Sequence, residues 1–209
     1  MIYIVGPIRC SNSLLASFLE RENGAKCQVL EGLDKIPKRY PEDTGQINLV
    51  LWDCFGKSVE NCYIDYQANE NGIIQHDFLA LFNITLGLGF EERIMSCGAH
   101  GFFYIHDSLE QMAKGVRAIF NGELWISRKI MAESLKKNVQ YPIQRKNYSV
   151  LTPREVEVLT IMATGVTNAK ISDELCISPH TVKTHIYNIF KKIDVPNRLQ
   201  ASLWATKNL

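Results

Sequence analysis

TNAKISDELCISPHTVKTHIYNIFKKI, Thr167–Ile193, predicts two short helices joined by a tight turn at Cys176-Ile177-Ser178. Ser178 is a good N-cap for the second helix, and Pro179 suits its first position, where no backbone N–H is needed. Val182, Ile186, Ile189, Phe190 and Ile193 recur at helical spacing and mark one apolar face. At about 100° per residue the opposite face carries His180, Thr184, Tyr187 and Lys191, with Lys183 on its flank. A helix with one buried seam and an outward row of donors, preceded by a shorter helix, is the pattern of a helix-turn-helix. The alternative is an amphipathic helical hairpin inside an ordinary core.

On either side the chain supplies partners for this pair. Leu151 opens the unit, and Thr152, Pro153 and Glu155 form a helix start, with Val156, Leu159, Met162 and Ala163 inward and Gly165 as the stop. Asn197 and Gln200 begin a last helix, whose Leu199, Leu203 and Trp204 are expected to cover the helix-turn-helix core. The reading is an all-α domain over residues 150–209, behind a polar, Pro-containing linker over 138–149.

Residues 1–137 alternate strand and helix signals, which argues for a parallel sheet covered by helices. Ile2–Val5, Cys27–Leu30, Ile47–Trp52, Phe78–Ile84 and Gly101–Ile105 are the expected strands. Ser11–Glu20 is expected to be helical with Leu14, Leu15, Phe18 and Leu19 on one side. Ser108–Phe120 opens on a Ser108/Gln111 capping box and carries Leu109, Met112, Val116 and Ile119 as its inner stripe, ending at Asn121-Gly122. Gly56–Gln75 is too weakly patterned to place a helix. Ser127 caps a further helix running to about Lys137.

The 209 residues suffice for one or two cores, and 46% apolar with 22% charged residues is the composition of a soluble globular protein. No apolar run approaches the roughly 20 residues of a membrane span, and MIYIVGPIRC lacks the features of a signal peptide, so no membrane partner and a cytoplasmic location are expected. Cys10, Cys27, Cys54, Cys62, Cys97 and Cys176 show no C-x-x-C pair and no metal-like His spacing. Reduced, mostly buried thiols are expected, with a redox sensor or metal site as the lesser reading. No triad spacing supports an enzyme, and no cofactor is implied. A net charge of +1 means that any DNA contact relies on a local basic patch, used in two copies.

LTPREVEVLTIMATGVTNAKISDELCISPHTVKTHIYNIFKKIDVPNRLQA, Leu151–Ala201, closely resembles the LuxR/FixJ-type DNA-binding domain of bacterial transcription regulators. The resemblance implies a four-helix domain that lays its third helix in the major groove of double-stranded DNA and often pairs through its fourth. Carried over by position, Lys183, Thr184 and Tyr187 face bases and nearby phosphates, while Lys170, Thr181 and Lys191 favour the backbone. Lysines act as phosphate-neutralising charges and short polar side chains reach base edges. Tyr187 stands where many relatives carry a basic residue, and His185, near the flank, reads as structural.

The first domain resembles a response-regulator receiver, implying a flavodoxin-like five-stranded parallel sheet, here with an extra sixth helix. A working receiver holds Mg²⁺ with an acidic pair after its first strand, phosphorylates an Asp after the third and carries a Lys after the fifth. Here Gly6-Pro7 replaces the acidic pair and Ile105 the Lys, while Asp53 keeps the acceptor position and Thr85 is compatible. Phosphotransfer then loses most of its electrostatic support. Asp53 is expected to serve a polar network, with phosphorylation as the alternative.

After the fifth helix the chain reads Gly122-Glu123-Leu124-Trp125-Ile126-Ser127-Arg128. This resembles the VpsT type of biofilm regulator, whose receiver domain dimerises around cyclic di-GMP through W-[FLM]-[ST]-R; the related CsgD branch has the same architecture with a degraded motif. Trp125, Ser127 and Arg128 fit the VpsT motif, Ile126 departs from it, and Lys114 matches the lysine of that site. The chemistry suits the ligand: an arginine pairs with a guanine edge or stacks on its face, Trp125 supplies an aromatic wall, and Ser127 with a helix start donates to phosphate while Lys114 adds charge. The opposing reading packs Trp125 in a loop and leaves Arg128 solvated. The resemblance thus implies a homodimeric regulator of matrix-type genes with cyclic di-GMP as effector. Its rivals are a phosphorelay switch at Asp53 and a constitutive dimer with the receiver fold as scaffold.

Overall fold

The computed structural model describes residues 1–37, 48–69, 77–85, 87, 90–95, 98–128, 130–132, 151–195 and 197–209. Five strands, β1 (Ile2–Val5), β2 (Cys27–Leu30), β3 (Leu49–Asp53), β4 (Phe78–Ile84) and β5 (Gly101–Tyr104), form one parallel sheet in the order β2-β1-β3-β4-β5. β1 and β3 are buried along their whole length, as strands covered on both faces must be, and so they read as continuous apolar runs. Alternate residues feed two cores. Ile4, Leu51, Ala80 and Phe103 meet α1 (Cys10–Asn23) and α4 (Leu109–Phe120) through Leu15, Leu19, Val116 and Ile119. Tyr3, Trp52, Leu81 and Phe102 meet α2 (Val59–Asn69) and α3 (Phe90–Met95) through Cys62, Tyr66, Ile94 and Met95. Among the described residues no helix is long and apolar enough to cross a membrane.

Several expectations need correction. Leu14 is 70% exposed, and the inner face of α1 is made by Asn12, Leu15 and Leu19. Leu109, the first residue after the Ser108 cap, is also exposed, and the inner face of α4 is made by Met112, Ala113, Val116 and Ile119. β3 extends to Asp53, and β5 stops at Tyr104, leaving Ile105 in an exposed turn. The weakly patterned stretch holds α2, whose inner face mixes Val59, Cys62 and Tyr66. Ile47, residues 133–137 of the expected sixth helix and the linker over 138–149 lie outside the described residues. What is described of that helix starts at Arg128, with the Ile130 amide donating to Ser127 Oγ over 3.3 Å.

The C-terminal segment packs α5 (Pro153–Ala163), α6 (Asn168–Leu175), α7 (Pro179–Ile193) and α8 (Arg198–Asn208) around Val158, Leu159, Met162, Ile171, Val182, Ile186, Ile189, Ala201 and Trp204. Val158, rather than the expected Val156, is fully buried. The caps on three helices fall where the sequence put them, with Thr152/Glu155 as a capping box, Ser178 with Pro179 on α7, and Asn197 on α8; Thr167 also caps α6. Leu199 and Leu203 do not cover this core. They join the apolar cluster of the first segment, beside Leu124, Ile126 and Ile130. The periodicity of α8 marks two apolar faces without saying which neighbour each one meets.

Candidate nucleic-acid interface and ligand segment

The helix-turn-helix is set by local chemistry. Cys176 takes the left-handed conformation (φ 52°) that ends α6, and the Ile177 amide donates to Ser172 O over 3.1 Å, closing the turn. Two arginines fasten the frame. Arg154 Nη2 donates to the last carbonyl of α6, Leu175 O, at 2.8 Å, and Arg198 donates to Asn168 Oδ1 at 2.9 Å and to Val166 O. Lys192 Nζ reaches the buried Glu155 carboxylate at 2.7 Å, tying α7 to the start of α5. Burial alone would raise the Glu155 pKa, but the hydrogen bonds from Lys192 and Thr152 outweigh it and hold the carboxyl below its ordinary range. These cations serve the fold, so the basic patch comes from other residues.

Of the expected DNA-facing residues, Lys170 and Lys191 are exposed, and no ion pair engages Lys191 among the described residues. Thr181, Lys183, Thr184 and Tyr187 are half-buried. Thr181 is held in the cap, its amide donating to Ser178 Oγ at 3.0 Å, and Thr184 Oγ1 donates back to His180 O at 3.1 Å. Partial burial lowers the Lys183 pKa from its ordinary value. His180, which the sequence put on the outward face but not among the contact residues, is exposed at the N-terminal end of α7.

The ligand segment is attached to the sheet. The Trp125 amide donates to His100 O at 2.8 Å and its carbonyl accepts from the Phe102 amide at 2.9 Å, a one-residue parallel bridge at Gly101. The Trp125 ring stacks on Phe103 at 6.3 Å between centroids and lies over Gly115, where a Cβ would stand 2.8 Å from Cδ2. The Trp125 side chain is thus half-buried against the core. Lys114, next to Gly115 on α4, is exposed, as are Ser127 and Arg128 at the helix start.

At the C-terminal ends of the strands the receiver-type chemistry is replaced by a closed polar network. Asp53 is 3% exposed: Oδ2 accepts from Asn12 Nδ2 at 3.1 Å, and Oδ1 from Asn83 Nδ2 at 2.8 Å and the Phe55 amide at 3.0 Å. Asn83 reaches it from a β4 irregularity, with φ 58°. A Cβ on Gly6 would stand 2.5 Å from Asp53 Cβ, so no acidic side chain fits there. Ile105 and Thr85 are exposed. A single, fully engaged carboxylate does not fit a Mg²⁺ site, which wants several free hard oxygens. Sequence reasoning missed Asn12 and Asn83, since neither stands in a motif; the fold alone joins them to Asp53.

Residues 149–205 match the sequence profile of bacterial regulatory proteins, luxR family. Over 110 residues the chain is 39% identical to the probable csgAB operon transcriptional regulatory protein of Salmonella typhimurium, covering 53% of this chain and 51% of that one. It is 37% identical over the same length to the CsgBAC operon transcriptional regulatory protein of Escherichia coli, with the same coverage. The aligned part thus spans about half the length of these curated relatives. The solved regulatory domain of the master biofilm regulator CsgD superposes with a TM-score of 0.51 at 17% identity, over 65% of this chain and 98% of its own, a likeness of fold. With its capped helix pair and its β2-β1-β3-β4-β5 sheet, the chain carries a luxR-family regulatory domain at residues 149–205 behind a domain of receiver-like fold.

Proposed function

We propose that this chain is a DNA-binding transcription regulator whose receiver-like domain dimerises on binding cyclic di-GMP and controls matrix-type genes. The observation that carries the DNA half is α7: a luxR-family helix with Val182, Ile186, Ile189 and Ile193 buried and His180, Thr184, Tyr187 and Lys191 on the other side. Lys183, Thr184 and Tyr187 are assigned to base edges and nearby phosphates, and Lys170, Thr181 and Lys191 to the backbone. Domains over 1–137 and 150–209 joined by 138–149 give the regulator its two parts. The ligand half is supported by the exposure of Lys114, Ser127 and Arg128 and the half-buried Trp125. Arg128 and Lys114 are solvated and available to guanine and phosphate, while the sheet holds Trp125 in place. Binding that selects the dimer shifts the monomer–dimer equilibrium by mass action, and two α7 helices then add their modest affinities. Asp53 is assigned to the polar network with Asn12 and Asn83.

The test is calorimetry and sedimentation of the full chain with cyclic di-GMP, followed by fluorescence anisotropy on promoter DNA with and without the nucleotide. Heat, a doubled mass and tighter DNA binding are expected. No heat and no mass change overturns the ligand half. DNA binding equally strong in both conditions favours the constitutive dimer, and no binding even at low salt overturns the DNA half.

A further inference from the structure

Cys54 follows β3 directly and Cys62 lies in the first turn of α2, and both side chains are fully buried. Their sulfurs are 3.7 Å apart, in hydrogen-bonding contact. The tight loop between them is closed by the Lys57 amide on Cys54 O at 3.0 Å and the Cys62 amide on Ser58 O at 3.1 Å, with Gly56 at φ 73°. Lys57 Nζ stands 5.1 Å over the Trp52 ring and 3.0 Å from the Asp65 carboxylate. Phe55, Gly56 and Ser58, in the loop between them, are exposed. The other described cysteines differ: Cys10 and Cys176 are exposed, and Cys27 is half-buried.

We infer that Cys54 and Cys62 are a peroxide-oxidisable dithiol, a modification site separate from the ligand and DNA surfaces. The two thiols are unequal. The hydrogen bond with Cys54 holds the Cys62 pKa below its ordinary value, with Lys57 adding to the effect against the cost of burial, and the same hydrogen bond together with burial pushes Cys54 up. Cys62, in the first turn of α2 where the N-terminal end of a helix favours a thiolate, is the nucleophile, and Cys54 the resolving thiol. The Cys62 thiolate attacks one oxygen of hydrogen peroxide, the O–O bond breaks, and the departing hydroxide takes a proton to become water. The Cys54 sulfur then attacks the resulting sulfenic acid, the S–S bond forms, and the S–O bond breaks as hydroxide leaves with the Cys54 proton. Two thiols lose two hydrogens and one peroxide becomes two waters. A disulfide needs sulfurs at about 2.0 Å, so side-chain rotation has to draw the pair together and thereby tighten the β3–α2 turn beside Asp53.

The experiment is a hydrogen peroxide titration of the full chain, with differential alkylation and peptide mapping. A Cys10→Ser/Cys176→Ser variant removes the exposed thiols among the described residues. A peptide joining Cys54 to Cys62, reversed by dithiothreitol, is expected in both proteins. Cys62→Ser should leave Cys54 unoxidised at the same dose, and Cys54→Ser should let Cys62 accumulate as a dimedone-reactive sulfenic acid. The inference is overturned if Cys54 and Cys62 stay reduced at a dose that oxidises Cys10. It is equally overturned if either pairs with another cysteine, or if Cys62 proceeds to sulfinic acid in the unmutated chain. Mapping of the unmutated chain decides the matter even where a serine variant fails to fold.

Discussion

Trp125 extends the sheet by one residue at Gly101, its amide on His100 O at 2.8 Å and its carbonyl on the Phe102 amide at 2.9 Å. The ligand segment therefore shares its anchoring with the core, and mutations there divide into two kinds. Arg128→Ala, at an exposed position, should leave urea unfolding within about 0.5 kcal/mol and abolish the heat of cyclic di-GMP binding. Trp125→Ala should lose binding and also about 1–3 kcal/mol of stability, less than a fully buried aromatic costs. Gly115→Ala has no room, since its Cβ collides with Phe103 and Trp125, and should cost about 1–3 kcal/mol. Equal destabilisation by Arg128→Ala and Trp125→Ala would contradict the division.

His100 should dominate the mild-acid response. It is fully buried, and desolvation lowers its pKa to about 3, against a weaker opposing hydrogen bond to Gly98. The unfolded chain takes up this proton near pH 6.5, whereas the native state refuses it until about pH 3. Stability is then full above about pH 6.5 and falls by about 1.4 kcal/mol per unit below it. His100→Gln should flatten urea midpoints measured at pH 7, 6 and 5; an unchanged slope would place the titration elsewhere.

Lys191 and Lys192 are neighbours in different settings, the first exposed and the second paired with the buried Glu155. Lys191→Ala should leave stability unchanged, weaken DNA binding and reduce the salt slope of log K by about 1. Lys192→Ala strands the buried Glu155 carboxylate and should cost about 1–2 kcal/mol, less than a fully buried pair because the lysine is a third exposed. Glu155 has a lowered pKa in the fold, so its contribution is present above its unfolded value and lost as pH falls through the folded one. Thermal melts and salt titrations of the two variants separate these roles.

Asp53→Ala leaves the Asn12 and Asn83 amides without their carboxylate and should cost about 1–3 kcal/mol. Beryllofluoride with Mg²⁺ should not change the sedimentation of the unmutated chain. A shift to dimer that Asp53→Ala abolishes would restore the phosphorelay reading.

Elements whose information is local could be read directly from the residues. The capping box at Thr152/Glu155, Ser178 with Pro179 before an apolar seam, and the continuous runs of β1 and β4 each carry their structure within a few residues, because hydrogen-bond caps and burial periodicity act over one or two turns. Which surfaces meet is settled by the packing of the folded chain. It turned Leu14 and Leu109 outward and sent Leu199 and Leu203 to the first segment's core. It set Asn12 and Asn83 on Asp53, brought Cys54 within 3.7 Å of Cys62, and stacked the Trp125 ring on Phe103. Such contacts depend on how twisted strands and crossover helices place residues far apart in the chain, and an apolar stripe records that a face is buried without naming its partner.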